Sequence, residues 1–184
     1  MDIPAALARL ARLDPECRRF GASIHRYQLN PPLSLERLAA FQARHDIRLP
    51  EDYAAFLTRA GNGGAGPFYG IYPLGEGWEG LTGTLAAPFP FTQPWNIPTD
   101  PPEHFASDEE EERWNHELDA AYWFALDGAF PICHHGCALR TWLVVSGPER
   151  GRVWYDARAE GGGLRPHQDV PSFLDWYRGW LEES

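Results

Sequence analysis

Lysine is absent from this 184-residue chain; all 16 basic residues are arginine. A pyridoxal-phosphate Schiff base, a Walker-type phosphate loop and a Ser-Lys nucleophile each depend on a lysine, so those chemistries are excluded. The glycine cluster at Gly61–Gly66 fits that exclusion. It follows a helical pattern and leads towards a strand, whereas phosphate loops run from strand to helix. Long apolar runs are also missing. The longest, Ala120–Leu126, has seven residues, far short of the roughly 18 that a membrane span requires, so no membrane partner is expected. Cysteine is scarce and odd in number: Cys17, Cys133 and Cys137. The opening Met1-Asp2-Ile3-Pro4 has no basic stretch ahead of an apolar one, so no export signal is expected. Together these features point to free thiols in a reducing cytoplasm. Positive charge is short as well. A net charge of −10 at pH 7 opposes phosphate neutralisation and makes a nucleic-acid partner unexpected.

The negative charge is concentrated. Residues 100–120 hold nine acids and one arginine, a net of −8, while the rest of the chain is nearly balanced. Ser107 and Glu110 have capping-box spacing, which predicts a helix over 108–121 with its acids in the first turn. Asp108, Glu109, Glu110, Glu111 and Glu112 then form either a solvated helix face or a docking face for a basic partner, with Trp114 as an interface anchor or a core residue.

Elsewhere the pattern alternates between helical and strand periods. Residues 4–13 place Leu7, Leu10 and Ala11 on one helical face. Ser34 caps a helix carrying Leu35, Leu38, Ala39 and Gln42. Pro50 suits a first helical position, followed by Glu51 and Asp52, with Tyr53, Phe56, Leu57 and Ala60 as the apolar face. Gly61 is placed to end that helix in the left-handed conformation. Phe68–Leu74 reads as a strand. The stretch 75–106 shows little periodicity and is long for a loop. Thr141–Val145 and Arg152–Asp156 read as a hairpin across the turn at Gly147–Gly151. Gly161–Gly163 reads as a flexible turn. Ser172 caps a last helix with Phe173, Trp176, Tyr177 and Trp180 on one face. Helices, then strands, then a closing helix predict a single α+β domain over 1–184, a mainly antiparallel mixed sheet flanked by helices.

Cys133-His134-His135-Gly136-Cys137 is the one cluster with obvious chemical potential. Two thiols four residues apart could share a zinc ion, but no second ligand pair of suitable spacing exists. A Cys-His nucleophile would need a thiol beside an oriented imidazole. The alternative is a strand-turn-strand corner in which Cys133 or Cys137 packs as a small hydrophobe. The expectation is no metal, no cofactor and no catalytic residue. Trp142, Trp154, Trp176 and Trp180 lie within apolar periodic segments and are expected in the core.

Several of these residues together resemble the SUKH superfamily, which includes the fungal Smi/Knr cell-wall assembly regulators and many bacterial toxin-immunity proteins. The first block is Leu49-Pro50-Glu51-Asp52-Tyr53, Phe56-Leu57, Asn62-Gly63-Gly64, Gly66-Pro67 and Tyr69-Gly70-Ile71-Tyr72-Pro73-Leu74. The second is Gly136-Cys137 opening a strand, Leu143-Val144-Val145 with Gly147, Gly151-Arg152-Val153-Trp154, and Phe173-Leu174-Asp175-Trp176-Tyr177. The likeness covers roughly 35–75 and 128–182; 75–120, with the acidic helix, departs from it. The resemblance implies a non-enzymatic intracellular protein that binds a protein partner. That partner is a cognate toxin, often a nuclease, in the immunity members, or a self protein in a regulatory adaptor. It carries no catalytic residue across. A Cys/His-dependent enzyme or metal-binding protein is the remaining alternative.

Overall fold

The longer helices of the computed structural model begin where the sequence supplies a side-chain partner for a first free amide. The structure describes residues 2–78, 80–96, 104–167 and 170–183. Helix α1 (Ile3–Leu13) is capped by Asp2, whose Oδ1 accepts from the Ala5 amide at 3.1 Å. After the short α2 (Ala22–His25), α3 (Leu35–His45) is capped by Ser34, whose Oγ accepts from the Arg37 amide at 3.2 Å. Helix α4 (Glu51–Ala55) starts one residue later than expected, with Pro50 as its flanking cap. It runs directly into a π-helical turn, Phe56–Ala60, closed by the Gly61 amide donating to the Phe56 carbonyl at 3.0 Å.

The structure corrects the expected role of Gly61. Its φ of 175° is extended backbone, not left-handed. A side chain is excluded there by crowding, since a Cβ would lie 2.6 Å from the Asn30 carbonyl oxygen. The left-handed turn belongs to Gly63 and Gly64, at φ 81° and 102°. The expected strand over Phe68–Leu74 is also absent. Ile71 makes only single bridges, to Gly64 and Cys133. Phe68 and Gly70 take positive φ and break the pleat, and Pro67 and Pro73 have no amide to donate.

Four strands follow: β1 (Ala129–Gly136), β2 (Leu139–Val144), β3 (Val153–Ala157) and β4 (Gly163–Pro166). They form an antiparallel meander in sequence order. The hairpin across Gly147–Gly151 is as expected, with Trp142 opposite Trp154 and Leu143 opposite Val153. The last strand begins at Gly163, where the sequence pattern shows only a turn. Gly136 closes β1 instead of opening a strand, and Cys137 and Ala138 form the turn into β2. Helix α6 (Phe173–Glu183) closes the chain. The fold is α+β, with antiparallel strand pairing. The one parallel contact among the described residues is the isolated bridge Thr82–Leu126. No helix among them is long and apolar enough to cross a membrane.

Alternation along the strands sends side chains to two faces. Phe130, Ile132, Leu143 and Val153 pack with Leu7, Leu10, Leu49, Tyr53, Phe56, Leu57, Phe173 and Tyr177 from the helices. Trp142, Val144, Trp154 and Leu164 point the other way and meet Phe89 and Leu126, with Phe91, Trp95 and Phe124 around them. That second cover comes from 81–96, part of the stretch whose role the sequence left open. Backbone bonds anchor it: Phe89 N to Ser146 O at 3.0 Å, and the Trp95–Leu164 pair at 2.8 and 2.7 Å. A cover held by scattered backbone bonds needs no hydrophobic period, so its sequence shows none.

Candidate functional site

The motif residues that carry the family likeness build the fold. The Tyr177 hydroxyl donates to the Ala65 carbonyl at 2.7 Å, tying α6 to the glycine-rich loop. Asp52 of α4 accepts from the Leu174 amide at 2.9 Å, so an acid from one sequence block caps the helix of the other. The Asn62 carboxamide oxygen accepts from the Leu74 amide at 3.0 Å. Arg150, beside Gly151 in the β2–β3 turn, donates to the carbonyls of Arg48 and Leu49 at 3.0 and 2.9 Å. Leu49, Tyr53, Phe56, Trp154 and Phe173 are buried, and Trp176 nearly so. Gly63, Gly64, Gly70, Gly136 and Gly151 all take positive φ. At Gly64 a Cβ would sit 2.6 Å from the Gln28 carbonyl, so this turn tolerates no side chain.

The acidic segment is helix α5 (Asp108–Tyr122). Its start is the expected cap. Ser107 Oγ accepts from the Glu110 amide at 3.3 Å, and Glu110 Oε2 accepts from the Ala106 amide at 2.7 Å. Asp108, Glu109, Glu110, Glu111 and Glu112 are all exposed. Trp114 is half-buried against Phe105, with ring centroids 6.5 Å apart. Asp100 and Glu103 lie outside the described residues. The helix is tethered at its far end. Arg158 is fully buried, forks onto Asp156 at 2.9 and 2.8 Å and donates to the Phe124 carbonyl at 3.1 Å. Trp142 Nε1 completes the network on Asp156 at 3.1 Å. The chain just after α5 is therefore fastened to the sheet, while the acidic end projects.

The Cys133–Cys137 cluster is dispersed by strand geometry. Cys133 is buried, its thiol donating to the Pro67 carbonyl at 3.1 Å, and burial pushes its pKa well up, away from thiolate chemistry. Cys137 is exposed at the turn and takes a positive φ of 48°. Cys17, half-buried, belongs to the segment after α1. No group of three His, Cys, Asp or Glu side chains converges among the described residues. His134 stacks on Tyr69 at 5.7 Å. His135 lies between Phe68 at 3.6 Å and Tyr155 at 5.3 Å, both nearly parallel to it. Its Nε2 is 2.7 Å from Thr141 Oγ1, which is 3.4 Å from His167 Nε2. Burial is the main cause that lowers the pKa of His135 to about 3 and of His167 to about 4, so both rings are neutral at pH 7. The two-residue alternation of a strand separates His134 from His135, but Thr141 and His167 come from β2 and the end of β4, and only the folded sheet brings them to one place.

An antiparallel meander backed by helices, with its motif residues spent on structure and an acidic helix projecting from it, defines a class of α+β scaffold domains. More particularly, the sequence model of the SMI1 / KNR4 family (SUKH-1) matches residues 32–179, and the chain belongs to that family. Neither comparison with curated proteins nor comparison with solved structures found a match.

Proposed function

We propose that this protein is an immunity-type member of its family, a non-enzymatic cytoplasmic protein that neutralises a toxin domain by stoichiometric binding. The observation that supports this reading most is α5. In a family whose motif residues here go to scaffolding, the chain projects a helix with five consecutive exposed acids and no buried residue among those described. Nuclease toxins present basic nucleic-acid grooves, and a negative helix is the complementary occupant. Complementary charge speeds encounter and fixes orientation. Trp114, half-buried beside the acids, supplies the aromatic anchor such interfaces use.

The test is affinity capture of the tagged protein from lysate of its own cells, followed by mass spectrometry and co-expression. A single stoichiometric partner with a toxin domain, whose lethality co-expression suppresses, is the expected result. A stoichiometric self protein without toxicity would replace this reading with the adaptor. The double charge reversal Glu109→Arg with Glu112→Arg is expected to slow association about tenfold at low salt, with the difference shrinking as salt rises. Unchanged association would remove α5 from the interface.

A further inference from the structure

Away from α5, four independent features meet at one end of the sheet. The first is a surface cavity of about 630 Å³ lined by Phe20, Phe68, His135, Leu139, Tyr155, Arg165, Pro166 and His167, a size that suits a small ligand. The second is its chemistry. Phe68, His135 and Tyr155 form a stack of parallel rings, and the Arg165 guanidinium lies over Tyr155, 4.7 Å from the ring centroid. Arg165 is exposed and makes no ion pair or hydrogen bond among the described residues, though Glu160 and Asp156 also act on Tyr155. With both histidines neutral, Arg165 is the cationic group of the wall. The third is His135 itself. The residue is only 7% exposed, and its Nδ1 is buried without a hydrogen-bond partner, an uncompensated cost for the free protein. The fourth is backbone strain. Phe68, Cys137 and Ala138 hold φ of 53°, 48° and 64°. Non-glycine residues rarely adopt this region, and such strain gathers at ligand clamps. Phe68 is a wall of the cavity, and the Cys137–Ala138 turn joins the strands that carry His135 and Leu139.

We propose that this cavity binds a planar aromatic acid, with its ring packed across the edges of the Phe68–His135–Tyr155 stack and its carboxylate paired with Arg165. Aromatic rings pack edge to face as well as offset-stacked, and a guanidinium pairs a carboxylate through two parallel N–H···O bonds. Phe20, 63% exposed and edge-on to Phe68 at 6.3 Å, covers the ring on binding. The acid is either a free small molecule or the C-terminal aromatic residue of a polypeptide; the recognition chemistry is the same.

The experiment titrates full-length protein with 2-naphthoate, its neutral twin 2-naphthylmethanol, the non-aromatic cyclohexanecarboxylate and N-acetyl-phenylalanine, read by calorimetry and saturation-transfer NMR. Saturable 2-naphthoate binding is expected with a Kd of roughly 0.1–1 mM, as suits a fragment of that size. Both the neutral and the non-aromatic twin should bind at least tenfold more weakly. Arg165→Gln should weaken 2-naphthoate at least fivefold and leave the neutral twin unchanged. Leu139→Trp, which fills the cavity, should abolish binding; circular dichroism checks that both variants are folded. N-acetyl-phenylalanine binding more tightly than 2-naphthoate assigns the acid to a polypeptide terminus, and weaker binding assigns it to a free metabolite. Absence of saturable binding of either acid up to about 5 mM overturns the proposal. So does affinity that is equal in the neutral twin or unaltered by Arg165→Gln.

Discussion

Helices α5 and α6 start alike and end differently. Both follow a serine whose hydroxyl accepts an amide three residues on, Glu110 in one and Asp175 in the other. Yet α6 buries Phe173, Tyr177 and Leu181, whereas no described side chain of α5 is buried and only Trp114 and Leu118 are half-buried. One helix is held by its apolar face. The other is held by its cap, by acids placed at the positive end of its dipole and by the tether at Arg158. Isolated helices of this length are marginal in water, so an unpacked helix that starts with five acids has more to gain from a partner than from its own domain.

That contrast can be broken most sharply in the core. Phe173→Ala is expected to cost about 3–5 kcal/mol in urea unfolding, because its ring contacts Tyr53, Phe56 and Tyr177. The matching change in α5, Leu118→Ala, is expected to cost less than about 1 kcal/mol. Comparable losses would mean that α5 packs on the body after all. Next in size is Arg158→Ala. It strands the buried Asp156 carboxylate and releases the Phe124 carbonyl, for an expected loss of roughly 3–4 kcal/mol. Hydrogen exchange should then rise at the C-terminal end of α5 before it rises in α6.

Acid sharpens the comparison from the other side, since His167 packs on Trp176 of α6 at 6.1 Å. Unfolded imidazoles titrate near pH 6.5. In the folded protein His135 titrates at about 3 and His167 at about 4. Above pH 6.5 both states are neutral and stability is full. As pH falls from 6.5 towards 4, the unfolded chain takes up protons that the native state refuses. Roughly 2–3 kcal/mol per histidine, about 5 kcal/mol in all by pH 4.5, is then expected to be lost. Urea midpoints at pH 7.5 and pH 4.5 measure it, and His167→Gln should flatten the dependence. Smallest is the cap. Ser107→Ala is expected to remove about 1 kcal/mol of helix stability at α5, seen as faster exchange at Glu110 and Glu111 while the global midpoint barely moves.

Local chemistry was legible in the chain. Ser34, Ser107 and Ser172 cap the helices they precede because capping is settled within three residues. The β2–β3 hairpin was readable because its turn and alternation are local. The strand expected over Phe68–Leu74 fails because Phe68 and Gly70 adopt positive φ and leave Ile71 alone to bridge the nearby Gly64 and the distant Cys133. Strand β4 is not legible because Gly163–Pro166 is too short for alternation to register. Trp142 and Trp154 were expected in the core and are there, but facing 81–96 and not the helices, a choice of face that one strand read alone leaves open.

Composition and spacing by themselves determined that the chain forms an α+β fold, that its charge is gathered in one capped helix, and that lysine-dependent chemistries are closed to it. These rest on short-range rules: periodicity, caps and residue inventory. Only the tertiary structure decided that α5 stands clear while α6 is buried, that an aperiodic segment roofs the second face of the sheet, and that His135, Tyr155, Arg165 and His167 share a cavity. The reason is physical. Burial and convergence are set by contacts between residues far apart in the chain, which no local pattern encodes.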